Sequence, residues 1–527
     1  MAMRTREDLA RIAKEALGYI HAQPNVEEAE VFTCWNGMNF ARLNYTSHIS
    51  CNGVEEPKDE KVEGIHVKVV FRDKSGRKEV GSGSEVGTLT ESSIKKAFAK
   101  AKISKTLDSE FTSLPRPTGE KRTLYDYHNP ELMGLSPEGF VDAAWRIVAG
   151  AVEAARSSSK LIELAGGEER LSEAHLILGG DLTILQEKIA VCSTAMPDVQ
   201  TDESTLAMAY ITAMVENVSV NGERLEAKGS GYGAWARLSD VDGTPGAEAM
   251  EHAIASIGGE RVPAGEYSVI FAPAAVAELM GVILDACSAD WIYARASLFA
   301  GKLGEQVAKD HLQLCDLGNA NGLVASKGIT CEGLPTGRTD LIKDGRFAGV
   351  LCNWYGAQRI LNDPQAKEKI GKDPKEWSHA LVPRNGFRFY GSGRTPGDAG
   401  IYGTNIQLES SSPMPLAEMI SRVEDGLLLG RLWYVYPMGS PMQGDFTGSA
   451  TADSFRIKNG KIVAGLAPNS VRLQDNYRRI LMAIEAVSHE KRTYSPWAAD
   501  SIRHMPYILV RDVGISPILG PIRQAGK

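Results

Sequence analysis

The sequence contains neither H-E-x-x-H nor H-E-x-x-x-H, and no histidine falls between His252 and His311. Its only His-Glu pair, His489-Glu490, is followed by Thr493, Tyr494 and Ser495 where a second imidazole would stand. A zinc-peptidase helix needs two imidazoles on one face, a third ligand and a carboxylate base, so the chain shows no such centre of its own. The seven cysteines never form C-x-x-C, and none follows Cys352. That argues against a cysteine zinc cluster and a disulfide scaffold; reduced thiols in a cytoplasmic protein are the expectation. G-K-[ST] and G-x-S-x-G are also missing. The glycine runs at Gly81–Gly87 and Gly229–Gly233 do not match the dinucleotide fingerprint, so nothing points to a nucleotide or to a nucleophile elbow. The longest apolar run, 269–287, is broken by Pro273, Glu278 and Asp285, and the N-terminus has no apolar core; neither a membrane span nor a secretion signal is expected.

What the chain does have is bulk. Its 527 residues are 43% hydrophobic and 24% charged, which fits two or three globular domains with a large core. A net charge of −8 argues against nucleic acid or an anionic membrane as a partner.

The pattern of elements implies an α+β protein: an N-terminal α/β layer domain, then a β-rich domain with a curved sheet and a few packed helices. Arg6–Ala22 has an amphipathic stripe, with Thr5 as N-cap and Asp8 three residues on. Strands follow at 28–35, 64–71 and 78–84, then a helix through Ile94, Ala97, Phe98 and Ala101. Residues 106–127, with Pro115 and Pro117, read as a connector. Ser136-Pro137 opens a helix, and 176–235 reads as strands. Asp240–Gly246 is the clearest linker, giving domains 1–239 and 240–527. In the second domain Asp344-Gly345 and Asn459-Gly460 mark hairpins. Strands are expected at 387–390, 405–408 and 431–436, and helices at 416–427 and 477–487.

The stretch 267–307 organises the second domain. A short strand stops at Pro273. Val276, Leu279, Met280, Ile283, Leu284 and Cys287 then make one apolar stripe at helical spacing. Glu278, Gly281 and Asp285 share another face, the two carboxylates about 10 Å apart along the axis. Two acids so far apart cannot both bind one small ion without bending, and a solvated face is the plain alternative. A small-residue segment, Ala296–Glu305, follows. Further on come Cys331-Glu332-Gly333, Gly403-Thr404-Asn405 and Gly444-Asp445-Phe446. A glycine at 333 would let backbone approach a ligand closely; a simple turn is the alternative.

In this order the segments resemble the TldD/PmbA (TldE) peptidase family. The resemblance places the three residues of the TldD zinc motif at Met280, Gly281 and Asp285, none of them histidine. It retains Glu332 but not the acids that precede it in TldD, and it has Tyr402 where an arginine often stands. The pattern is closer to the metal-free PmbA/TldE branch. The resemblance implies a cytoplasmic subunit with no cofactor of its own, paired with a TldD-like zinc-bearing partner and acting on unfolded or extended peptides, including leader peptides of peptide natural products. Glu278, Asp285, Glu332, Gly333, Thr404 and Asn405 are then candidate substrate contacts, and no residue of this chain is catalytic. Two alternatives stay open: a stand-alone enzyme using Glu278, Asp285 or Glu332, and a non-enzymatic adaptor that binds a folded protein.

Overall fold

The computed structural model describes residues 3–122, 129–220, 223–389, 393–496 and 501–518. The first half runs α1 (Arg6–His21), β1 (Val26–Thr46), β2 (Lys58–Arg72), β3 (Lys78–Val86), α2 (Glu91–Ser104), β4 (Thr106–Leu107), α3 (Pro130–Met133), α4 (Pro137–Arg156), α5 (Ser159–Ala165), β5 (Leu176–Ser193), β6 (Gln200–Val220), β7 (Glu223–Trp235) and α6 (Thr244–Ser256). Local chemistry sets the helix starts. Thr5 and Asp8 form a reciprocal capping box on α1, and Ser136 accepts from Gly139 N ahead of Pro137 on α4.

The seven strands form one antiparallel sheet in the order β4-β3-β2-β1-β5-β6-β7. Alternation along its long strands decides what each face meets. Val31 and Trp35 of β1, with Ala190 of β5, pack under α1 and α2. Leu182 and Ile184 of β5, with Ala209 and Ile211 of β6, pack under α4 and α6. The helices therefore cover one face. From the opposite face Phe32, Cys34, Ile189 and Val191 pack on Ile329, Cys331 and Phe387 of the second half. Leu185, Leu206 and Met208 similarly meet Val324, Ala325 and Ile502.

The second half is built on a 13-stranded mixed sheet. β8 (Gly265–Phe271) lies between the parallel strand Asp425–Leu429 and the antiparallel strand Ile502–Pro517. Ile502–Pro517 also pairs with Asn405–Ser410, Val471–Asn476 and Ile484–Tyr494, so three separate parts of the chain converge on it besides β8. The helix α7 (Pro273–Ala286) follows β8 directly. The molecule is α+β, with an N-terminal α/β layer domain followed by a β-rich domain.

Several elements differ from the sequence reading. The strands expected at 28–35 and 64–71 are parts of the longer β1 and β2, and within the region read as strands 176–193 is one strand, β5. The glycine runs at 81–87 and 229–233 lie largely within β3 and β7. Thr244, Pro245 and Gly246, read as linker, form the first turn of α6, which packs on α4 and β7 of the first sheet. The helix expected at 416–427 ends at Ser421, and Asp425–Leu429 is a buried strand with neighbours on both edges. The helix expected at 477–487 likewise ends at Ala483 and becomes the strand Ile484–Tyr494. Both hairpins form, with positive φ at Asp344, Gly345, Asn459 and Gly460. Residues 123–127 of the connector and Tyr390 of the strand read at 387–390 lie outside the described residues.

Candidate functional site

Pro273 supplies the first position of α7, where its fixed φ fits and its missing N–H costs nothing. The apolar stripe then sinks into the main core. Val276, Leu279, Met280 and Ile283 are fully buried, and Cys287 caps the C-terminus with its thiol pushed up by burial. Met280, where the resemblance puts the first residue of the TldD zinc motif, therefore packs in the core.

The remaining face of α7 carries Glu278, Gly281 and Asp285, and a guanidinium lies over it. Arg503, from the strand Ile502–Pro517, donates from Nη1 to the carbonyl of Ala277. A Cβ on Gly281 would stand 3.4 Å from that same Nη1. Tyr494 Oη donates to Glu278 Oε1 at 2.7 Å. Desolvation lowers the Arg503 pKa, while Glu278, Tyr494 and Asp285 act to raise it. Surrounding protein raises the Asp285 carboxyl and Arg503 opposes that shift, although the side chain keeps contact with solvent.

This donor set does not suit a zinc ion. Position 280 offers a thioether turned into the core, position 281 has no side chain, and the one carboxylate at 285 faces a fixed cation. Among the described residues no three histidine, cysteine or acidic side chains group as a metal site. His489 and Glu490 lie in a strand, where the Glu490 carboxylate accepts from Leu416 N at 3.0 Å and caps a short helix.

Tyr494 links α7 to a cavity of about 640 Å³ between the domains. One wall is the helix-free face of the first sheet, presenting Phe40, Thr183, Met208 and Tyr210; Arg431 and Trp433 form part of the other. A second cavity of about 390 Å³ continues past Arg431 and Trp433.

The other residues singled out in the sequence sit elsewhere. Glu332 lines a separate small cavity with Glu30, Lys68 and Arg388, and its Oε2 accepts from Trp354 N at 2.9 Å. Burial pushes its carboxyl up to about 7. Gly333 has φ +78° and backs onto Val191 of β5, so its turn forms part of the domain seam. Thr404 and Asn405 are fully buried. Thr404 donates from N and Oγ1 to Asp316, at 2.8 and 2.9 Å, and Asn405 bonds Leu317 O and His504 Nε2 at 2.9 and 3.2 Å. Asp445 ties a turn by accepting from Asn476 Nδ2 at 2.8 Å. Thus Glu278 and Asp285 share one site, and Glu332, Thr404 and Asn405 are not part of it. Sequence reasoning missed Arg503, Tyr494 and Arg431. The one local clue was Arg503 itself, a charge inside the largely apolar run from Ile502 to Val510.

Residues 264–517 match the model of the PmbA/TldA metallopeptidase C-terminal domain. This half of the chain carries the C-terminal domain of that family. The fold agrees over nearly its whole length with TldE from Thermococcus kodakarensis, at a TM-score of 0.71, 19% identity and coverage of 97% of this chain and 99% of that one. It also resembles a Thermotoga maritima protein named as a candidate modulator of a DNA gyrase, at a TM-score of 0.72, 18% identity and coverage of 96% and 100%. A Bacteroides thetaiotaomicron protein with a similar title gives a TM-score of 0.70, 16% identity and coverage of 98% and 100%. No curated protein sequence matches the chain. The face of α7 on which the sequence resemblance places the zinc motif is covered by Arg503. Among the described residues no helix is long and apolar enough to cross a membrane.

Proposed function

We propose that this chain is the metal-free, TldE/PmbA-like subunit of a heterodimeric, cytoplasmic zinc metallopeptidase. Its partner is a TldD-like chain that holds the zinc and performs the hydrolysis. The complex degrades or trims unfolded or extended peptides, leader peptides of peptide natural products among them, and this subunit walls the chamber and holds the peptide backbone. The observation that carries the reading is Arg503 lying against Gly281 and facing Glu278 and Asp285. A fixed guanidinium supplies positive charge where a metal would, but it offers no open coordination site to polarise a carbonyl or activate water. The interdomain cavity beside Tyr494, with its aromatic walls, supports the peptide-holding role.

The test is to purify the chain alone and together with a TldD-like partner, then measure zinc per chain and cleavage of an unstructured peptide. The expected result is no stoichiometric zinc and no cleavage by the chain alone, with both appearing in the pair. Cleavage by the isolated chain that is lost on Asp285→Asn would establish a carboxylate enzyme instead.

A further inference from the structure

Arg431 lines both interdomain cavities. Its guanidinium carbon sits 4.4 Å from the Tyr210 ring centroid and 4.6 Å from that of Trp433, so two aromatic faces hold it in place. The residue is only 6% exposed, and its Nε has no hydrogen-bond partner. No carboxylate among the described residues pairs with it. Three acids line the larger cavity, Glu55, Glu56 and Asp181, and none forms an ion pair with Arg431: Asp181 faces Arg42 at 3.6 Å and Glu55 accepts from Asn44. A buried cation without a counter-ion is costly, and a ligand carboxylate would offset that cost with parallel charge-assisted hydrogen bonds from the planar fork. Arg431 also reaches the Tyr494 hydroxyl, which itself donates to Glu278, so this point lies one side chain from α7. The cavity volume falls in the range of small-ligand sites, roughly 300–1,000 Å³.

We propose that Arg431, clamped by Tyr210 and Trp433, is a subsite for a carboxylate of the bound peptide, either its C-terminus or an acidic side chain. The proposal rests on the reading of this chain as a peptide-holding subunit and adds the group at which the peptide is gripped.

The test uses the whole chain and a fluorescent, unstructured hexapeptide free of Asp and Glu, prepared as the free acid and as the C-terminal amide. A third form is the amide with one internal Glu. Binding is read by anisotropy. The unsubstituted chain should prefer a carboxylate-bearing form over the plain amide by about tenfold, the scale of one charge-assisted pair. Preference for the acid alone identifies the C-terminus as the source, and rescue by the internal Glu identifies a side chain. Arg431→Gln should bind all forms as weakly as the plain amide, and Arg431→Lys should keep part of the preference. Equal binding of all three forms by the unsubstituted chain would overturn the subsite while leaving peptide binding intact; so would an acid preference that survives in Arg431→Gln. Failure of every form to bind would overturn the peptide reading and the subsite with it. The acid–amide comparison needs no variant, so a misfolded substitution cannot blur the result.

Discussion

Glu332 shows how far the surroundings can move one side chain. It is buried beside Glu30, another buried acid, and its favourable contacts are the Trp354 N–H and the more distant charges of Lys68 and Arg388. Desolvation outweighs these and holds the carboxyl at about 7, against 4.5 for an ordinary glutamate. A carboxyl raised on folding binds its proton more tightly in the native state, so this residue's contribution favours folding less as pH climbs from about 4.5 to about 7. Glu332→Gln keeps an acceptor for Trp354 N and removes the titration. The variant should match the parent near pH 4 and exceed it by about 3 kcal/mol at pH 8, the shift converted at 1.36 kcal/mol per unit. Urea unfolding at the two pH values checks this; a stability difference that does not change with pH would remove Glu332 as the titrating group.

At the level of the element, α7 is held from both sides: by the core under its stripe and by Arg503 on its polar face. Arg503→Met leaves the Ala277 carbonyl without its donor and Glu278 and Asp285 without their cation. Because Asp285 still meets solvent, the expected cost is about 2 kcal/mol, below that of breaking a fully buried pair. It would appear as a lower urea midpoint with an unchanged slope. Elements whose signal is local were legible in the sequence. Thr5 with Asp8, Ser136 with Pro137, and the Asp-Gly and Asn-Gly turns each act through their own few residues. The stripe of α7 was legible for the same reason. Asp425–Leu429 was not: a strand with neighbours on both edges and both faces covered loses its alternation, and a short apolar run fits helix and strand equally. The site was legible by half. Glu278 and Asp285 follow from helical spacing, but Arg503 lies 226 residues from Ala277 in sequence, and only the topology of the second sheet brings them together. Arg431 and Tyr210 meet by the same kind of long-range convergence.

Across the whole molecule, the cavity and its walls depend on how the two domains are joined, and a buried ionic seam joins them. Arg394 donates from Nη1 to Asp202 Oδ2 at 2.8 Å, from Nη2 to Ser204 Oγ at 3.1 Å, and from its backbone N to Glu187 Oε1 at 2.8 Å. Lys327 reaches the same Glu187 and also Ser204. Burial alone would raise the Glu187 carboxyl, yet Lys327 and Arg394 hold it well below the usual carboxylate range. Both cations come from the second half and both acids from the first, so unfolding either half strands charges in the other. The two sheets should therefore melt together. Arg394→Met removes a buried cation from Asp202 and strips Glu187 of one of its two cations, at an expected cost of about 3–5 kcal/mol. Arg511→Met, which breaks an exposed pair with Glu485, should cost about 0–1 kcal/mol and serves as the control. Calorimetry distinguishes the outcomes: one transition for the parent and the control, and a lower, broadened or split transition for Arg394→Met. A single unshifted peak in Arg394→Met would mean that the domains are held by the apolar contacts at Phe32, Cys34 and Leu185, with the ionic seam fixing only how they are aligned.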